Sequence, residues 1–245
     1  MPYQPGQFST LSIEDQSKLT AFIRAANDSN VSPNFEIGKD FTLYQWGTLL
    51  NPHAYVPAPA LWSFLKYVHA TLPHEVANAT VIMPDNFFSV VTSQGSEAVR
   101  DWVHFALLPP KRQRVVVYLN DDSFKHNWAV ACIWLKTPNS ARIDVYDPMG
   151  DTDRAKCMGN RLGAWLFEER SDPAKGHLYG DHSRMLEDEV VVCGCPRSSK
   201  PDGSSSGVFA AAIVEWLLLL EGRGDMPERL FSERMVATMR SRMDS

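Results

Sequence analysis

The chain has 245 residues, 44% of them hydrophobic and 22% charged, with a formal net charge of −5. This is enough apolar material for one full core, and the balance of charge supplies no general cationic field for nucleic acid or an anionic membrane surface. Four scattered cysteines are too few for a disulfide framework, and the longest apolar stretch, within 207–220, is broken by Glu215 and too short to span a bilayer. The opening residues MPYQPGQFST are polar and carry two prolines, unlike a secretory leader, so the chain is expected to be soluble and intracellular.

Ser12, with Asp15 three residues on and Leu19, Phe22 and Ile23 at helical spacing, predicts a capped amphipathic helix ending near Asn27. A polar run through Ser32-Pro33 follows, so residues 1–38 are expected to form a helical arm and linker, and 39–245 the main domain. From Phe41 to Leu50 the chain is apolar; Pro52, Pro57 and Pro59 then break it before a helix over Pro59–Leu72 whose apolar face is Leu61, Phe64, Leu65 and Val68. Ala79–Met83 predicts a short strand, followed by a turn that presents Phe87 and Phe88 and a helical stretch with Val99, Trp102 and Val103 on one side. The basic run Lys111–Arg114 reads as the solvated approach to a strand. Arg114–Leu119 is a nearly continuous β-branched run, as expected of a strand covered on both faces; Trp128–Leu135 and Arg142–Tyr146 are two more, and the three are expected to form the middle of a sheet.

A helix is predicted over Asp151–Glu168 with Leu162, Trp165 and Leu166 inward, then a strand over Glu189–Cys193. Cys193 and Cys195 have no second Cys/His pair of zinc-like spacing, so they read as buried strand cysteines, and no metal site or cofactor is expected. The Gly/Ser loop PDGSSSGVF then opens a segment that is apolar nearly all round, which places that helix in the core against the sheet. Ser206 therefore stands at a helix start, where free N–H groups and the helix dipole favour negative charge. Such a residue is either an N-cap or the seat of a nucleophile. A last helix is predicted from Pro227 to about Arg242. Helices before and after a block of strands that contains hairpins indicate an α+β fold.

Four stretches, in this order and with compatible spacing, resemble the ubiquitin-like-protein-specific cysteine proteases, the Ulp/SENP group of the adenain-like clan. IMPDNFFSVVTSQGSEAVRDW resembles the family's strand, Phe-Phe pair and following Gly, Val and Trp, here Gly95, Val99 and Trp102. RVVVYLNDDSFKHNWAVACIWL resembles the strand and loop that lead into its His-Trp pair, VYDPMGD is similar to its Tyr-x-Asp-Ser-Met-Gly turn, and DGSSSGVF resembles its Asn-Gly-x-Asp-Cys-Gly-x-Phe loop. The resemblance runs from about Tyr44 to Met243 and implies the papain-like, adenain-like form of the α+β class, a central mixed sheet flanked by helices. It implies work in the nucleus or cytoplasm, on a ubiquitin-like modifier or its conjugates.

Thiol hydrolysis of an isopeptide bond needs a thiolate, a base, a group that orients the base, and oxyanion donors. The resemblance places these on named positions. Asp147 matches the Asp that orients the imidazole. Ser206, before Gly207, stands where the family has its nucleophilic Cys, and a hydroxyl with no thiolate population is a poor replacement. Lys200, six residues earlier, stands where the family has the oxyanion Gln, and a flexible ammonium is not a fixed amide donor. If Trp128 is the family's Trp, Asn127 holds the base position and His126 lies one residue early; a one-residue shift on a strand turns a side chain to the opposite face unless a bulge absorbs it. Trp128 supplies one wall of the tunnel that the family closes over the modifier's Gly-Gly tail, and Tyr55 aligns with the other. These departures predict a degenerate site: a binding module for a ubiquitin-like modifier or another protein partner, inactive as written. The alternative is an active thiol isopeptidase specific for SUMO or another ubiquitin-like protein, whose catalytic Cys has been replaced by Ser206, with His126 as base and Lys200 near the oxyanion.

Overall fold

The structure, a computed structural model, describes residues 54–103, 107, 111–120, 127–137, 140–175, 187–198, 204–220, 222–227, 230, 231 and 236. The helix expected to end near Asn27, the apolar stretch Phe41–Leu50 and nearly all of the predicted last helix lie outside these residues, as do His126 and Lys200.

Five strands form one mixed sheet in the order β1-β2-β3-β4-β5: Thr80–Ile82, Arg114–Leu119, Ala129–Thr137, Ser140–Tyr146 and Glu187–Cys193. β2, β3 and β4 run antiparallel to one another, while β1 joins β2 and β5 joins β4 in parallel. β2 is buried at every position, which is why its sequence RVVVYL does not alternate.

Helices cover both faces. On one lie α1, Ala58–Ala70, and α5, Ser206–Leu219, against Val116, Tyr118, Val130, Cys132, Trp134 and Tyr146 of the sheet. Val208 through Leu218 of α5 are all buried, so this helix is hydrophobic all round because it is the core. On the other face α3, Phe87–Gln94, and α4, Thr152–Ser171, pack on the residues that alternate with the first set, among them Val115, Val117, Ala131, Ile133, Ile143 and Val145. α4 starts cleanly because Asp151 caps it, its Oδ1 accepting the Arg154 backbone N–H at 2.9 Å. A short helix, α2, His74–Ala79, precedes β1. Among the described residues no helix is long and apolar enough to cross a membrane.

Two expectations are corrected. Phe87 and Phe88 are not presented by a turn; they begin α3 and are fully buried, Phe87 edge-on to Trp165 of α4 with ring centroids 4.8 Å apart. Nor is Arg114 solvated: it is buried, its Nε donates to Thr80 Oγ1 and its Nη1 to the Leu217 carbonyl, both at 2.9 Å, so its guanidinium ties β1 to α5. Cys193 and Cys195 are both buried.

Candidate active site and its likeness to known folds

The site lies where the start of α5 meets the end of β4, the start of α4 and the residues leading into β3. Ser205 caps α5, its carbonyl accepting the N–H groups of Val208 at 2.9 Å and Phe209 at 3.1 Å, and Ser206 is the first helical residue. The serine loop is anchored from below: Ser198 Oγ and Ser205 Oγ are 2.7 Å apart, and the Ser198 N–H donates to the Pro148 carbonyl at 2.9 Å. Ser204, Ser205 and Ser206 are all buried, Ser206 with 0% of its surface exposed.

The Ser206 hydroxyl is held by Trp128, whose backbone N–H donates to Ser206 Oγ at 3.0 Å, and the Trp128 indole donates to the Val56 carbonyl at 2.9 Å. Gly207 lies beneath this contact. A Cβ there would come 2.6 Å from Val56 Cβ and 3.0 Å from Trp128 Cδ1, so only glycine allows the helix, the tryptophan and the 55–57 strap to meet. Tyr55, beside Val56, is exposed. Ser206, Gly207, Trp128 and the strap carrying Tyr55 are thus brought together.

Asp147 follows β4 in a tight turn, closed by the Gly150 N–H on the Asp147 carbonyl at 2.9 Å, with Gly150 at φ +72. Both oxygens of its carboxylate are engaged. Oδ1 accepts the Met149 N–H at 2.9 Å; Oδ2 accepts Nη1 of Arg154 at 3.0 Å, in an ion pair whose side chains are 2% and 3% exposed. Burial pushes the Asp147 carboxyl above its ordinary range, and the Arg154 guanidinium and the Met149 N–H draw it back without cancelling that effect. Arg154 also reaches the proposed base position, its Nη2 donating to the carbonyl of Asn127 at 2.5 Å, whereas Asn127 Oδ1 is buried and finds no partner. The described histidines, His69 and His74, sit on α1 and α2. Among the described residues no group of three His, Cys, Asp or Glu side chains could hold a metal ion.

Arg154 was not singled out by the sequence. The signal was there in part: an Asp cap at 151, four residues after Asp147, places Arg154 in the first turn of α4, within reach of the carboxylate that precedes that helix.

None of the native cysteines offers an alternative thiol. Burial, reinforced by Asp144, pushes Cys193 up to about 11, and burial, reinforced by the Asp147 carboxylate, pushes Cys195 up to about 12; burial also raises Cys132. Cys157 alone is exposed, on the outer face of α4. At pH 8 a thiol of pKa 11 is about one part in a thousand thiolate. Native protein treated with iodoacetamide at that pH is expected to gain one adduct by intact mass, at Cys157. Adducts at Cys193 or Cys195 on the same timescale would contradict this assignment.

No protein-family model matches the sequence, and neither does any curated protein. The fold does match solved structures. The Ulp1 protease domain in complex with Smt3, the yeast orthologue of SUMO, aligns with a TM-score of 0.66 at 17% identity over 97% of this chain and 95% of that one. The SUMO protease Ulp1 with its catalytic cysteine oxidised to a sulfenic acid aligns at 0.65, with 16% identity over 96% and 94%. The Xanthomonas campestris effector XopD bound to ubiquitin aligns at 0.51, with 13% identity over 78% of this chain and 91% of that one. At these identities the likeness concerns architecture and not chemistry: the chain has the α+β fold of the Ulp-type protease domains.

Proposed function

We propose that this domain is a catalytically silent member of the Ulp-type fold that binds a ubiquitin-like modifier, or another protein partner, through the surface a protease would use for substrate. One observation carries the reading: the Asp147 carboxylate, which would orient the base, already accepts from Arg154 and from Met149. Around it the hydroxyl of Ser206 is buried and takes the Trp128 N–H, and Asn127 has a neutral amide that cannot remove a proton. A modifier as partner is supported by the similar folds, one of which is a complex with Smt3 and another with ubiquitin. The residues that would wall an extended tail, Trp128 and the Tyr55–Val56 strap over Gly207, are in contact and joined by the bond from the indole to the Val56 carbonyl, which supports this reading.

The experiment is Ser206→Cys beside the wild type. Folded Ser206→Cys protein is offered ubiquitin and SUMO-type modifiers carrying a C-terminal fluorophore or an electrophile, and wild-type affinity for the same modifiers is measured by calorimetry. A thiol without its base is expected to fall short of a base-assisted one by about 10²–10⁴-fold, so turnover should stay at the buffer rate while the wild type binds. Rapid turnover by Ser206→Cys would overturn the silent-module reading in favour of an isopeptidase whose nucleophile has been replaced.

A further inference from the structure

The loss of a thiol does not explain why Asn127 and Asp147, the two residues that would pair through an imidazole, are joined by a guanidinium instead. Arg154 spans them, with Nη1 on Asp147 Oδ2 at 3.0 Å and Nη2 on the Asn127 carbonyl at 2.5 Å. Its side chain is almost wholly buried between the end of β4 and the residues leading into β3. The Asn127 Oδ1 is itself buried without a partner. From Asn127 the same connection continues through the Trp128 N–H to Ser206 Oγ and through the Trp128 indole to the Val56 carbonyl.

We propose that Arg154 is a positioning residue that fills the space between Asp147 and position 127, so that an imidazole at position 127 is kept from Asp147 for as long as Arg154 is present. The arginine has the geometry for this task. Its planar fork presents two parallel donors, one to the carboxylate and one to the backbone, where a lysine ammonium would serve as a point charge. Among the described residues, the other charged and titratable groups around the pair are Asp151 at the cap of α4, and Cys195 and Arg197 on the segment after β5. Burial raises the Cys195 thiol, and it is Arg154 whose Nη1 is bonded to Asp147 Oδ2.

The inference rests on the proposed function only in taking position 127 as the base position; modifier binding is measured on the wild type and does not enter its test. The probe is Asn127→His, with the added ring followed by NMR titration of its C–H signals against the wild type. With Arg154 present, the ring is expected to titrate at or below about 6.5, the ordinary histidine value, because the guanidinium bridges Asp147 and position 127 and places a cation nearby. In Asn127→His/Arg154→Gln the freed carboxylate should accept from the ring and raise that value by about one unit or more. Asn127→His/Arg154→Lys keeps the charge without the fork and should fall between the two. A ring that titrates above about 7 while Arg154 is intact, or titrates alike with and without it, overturns the proposal. If removing Arg154 prevents folding, Asn127→His by itself still tests the proposal, since a ring that titrates above about 7 overturns it and one at or below about 6.5 supports it.

Discussion

Asp147→Ala is expected to destabilise the domain by about 3–5 kcal/mol, because it strands a buried guanidinium rather than merely removing a bond. For a protein of this size that lowers Tm on the order of 10 °C. No discount for solvent screening applies, since both side chains of the pair are almost fully buried. The intact pair contributes far less than its removal costs. Burial already holds the Asp147 carboxyl above its ordinary range, so the native state binds a proton there more tightly than the unfolded chain does. The sign follows: the stabilising share of this group is complete below the ordinary carboxylate pKa and declines as pH rises through the raised native value. Replacing both partners by apolar residues, Asp147→Leu with Arg154→Met, should therefore recover more than half of the loss in urea unfolding. A double variant as unstable as Asp147→Ala would show that the stranded charge is not the cause.

Gly207→Ala is expected to cost about 1–3 kcal/mol, although alanine is the better helix former by about 1 kcal/mol. Packing outweighs propensity here because the new Cβ meets the branch point of Val56 at 2.6 Å, and a Cβ cannot rotate away. Relief requires the 55–57 strap or Trp128 to move, which breaks the indole bond to the Val56 carbonyl. The same variant should therefore weaken any modifier held between those walls. Gly163→Ala, within α4, is the control. Its Cβ would meet only Ile143 Cδ1 at 3.6 Å, an ordinary contact, so stability should rise by about 0.5–1 kcal/mol. Loss at both glycines would point to a general penalty for substitution rather than to the strap.

Much of the frame could be read before folding. Arg114–Leu119 was expected as a strand and is one, because a β-branched run covered on both faces is a signal carried by neighbouring residues alone. The same is true of α5, whose apolar character all round specifies burial without any partner being known. Phe87 and Phe88 escaped this treatment. FFSVVTSQ is rich in residues with little helical preference, and its helix is decided by the burial of both rings against the far face of the sheet. Arg114 was misread for a related reason: a charge at the end of a basic run is solvated by default, and only Thr80 and the Leu217 carbonyl, one 34 and the other 103 residues away, make its burial possible.

The chemistry of the site divides in the same way. The order of residue types along the chain marked the candidate positions: Ser206 before Gly207 at the start of an apolar helix, Asp147 in its turn, Trp128 ahead of a strand. Each is a local pattern, and local patterns survive without coordinates. What Asp147 pairs with is only partly a local property. A buried carboxylate takes whichever cation the packing of two elements brings within about 3 Å, and that choice depends on how α4 lies against the end of β4 and the residues leading into β3. The tertiary structure decided that Arg154, which the cap at Asp151 had only brought near, is the partner of Asp147 and of the Asn127 backbone, and made Val56 the support on which Trp128 closes over Ser206.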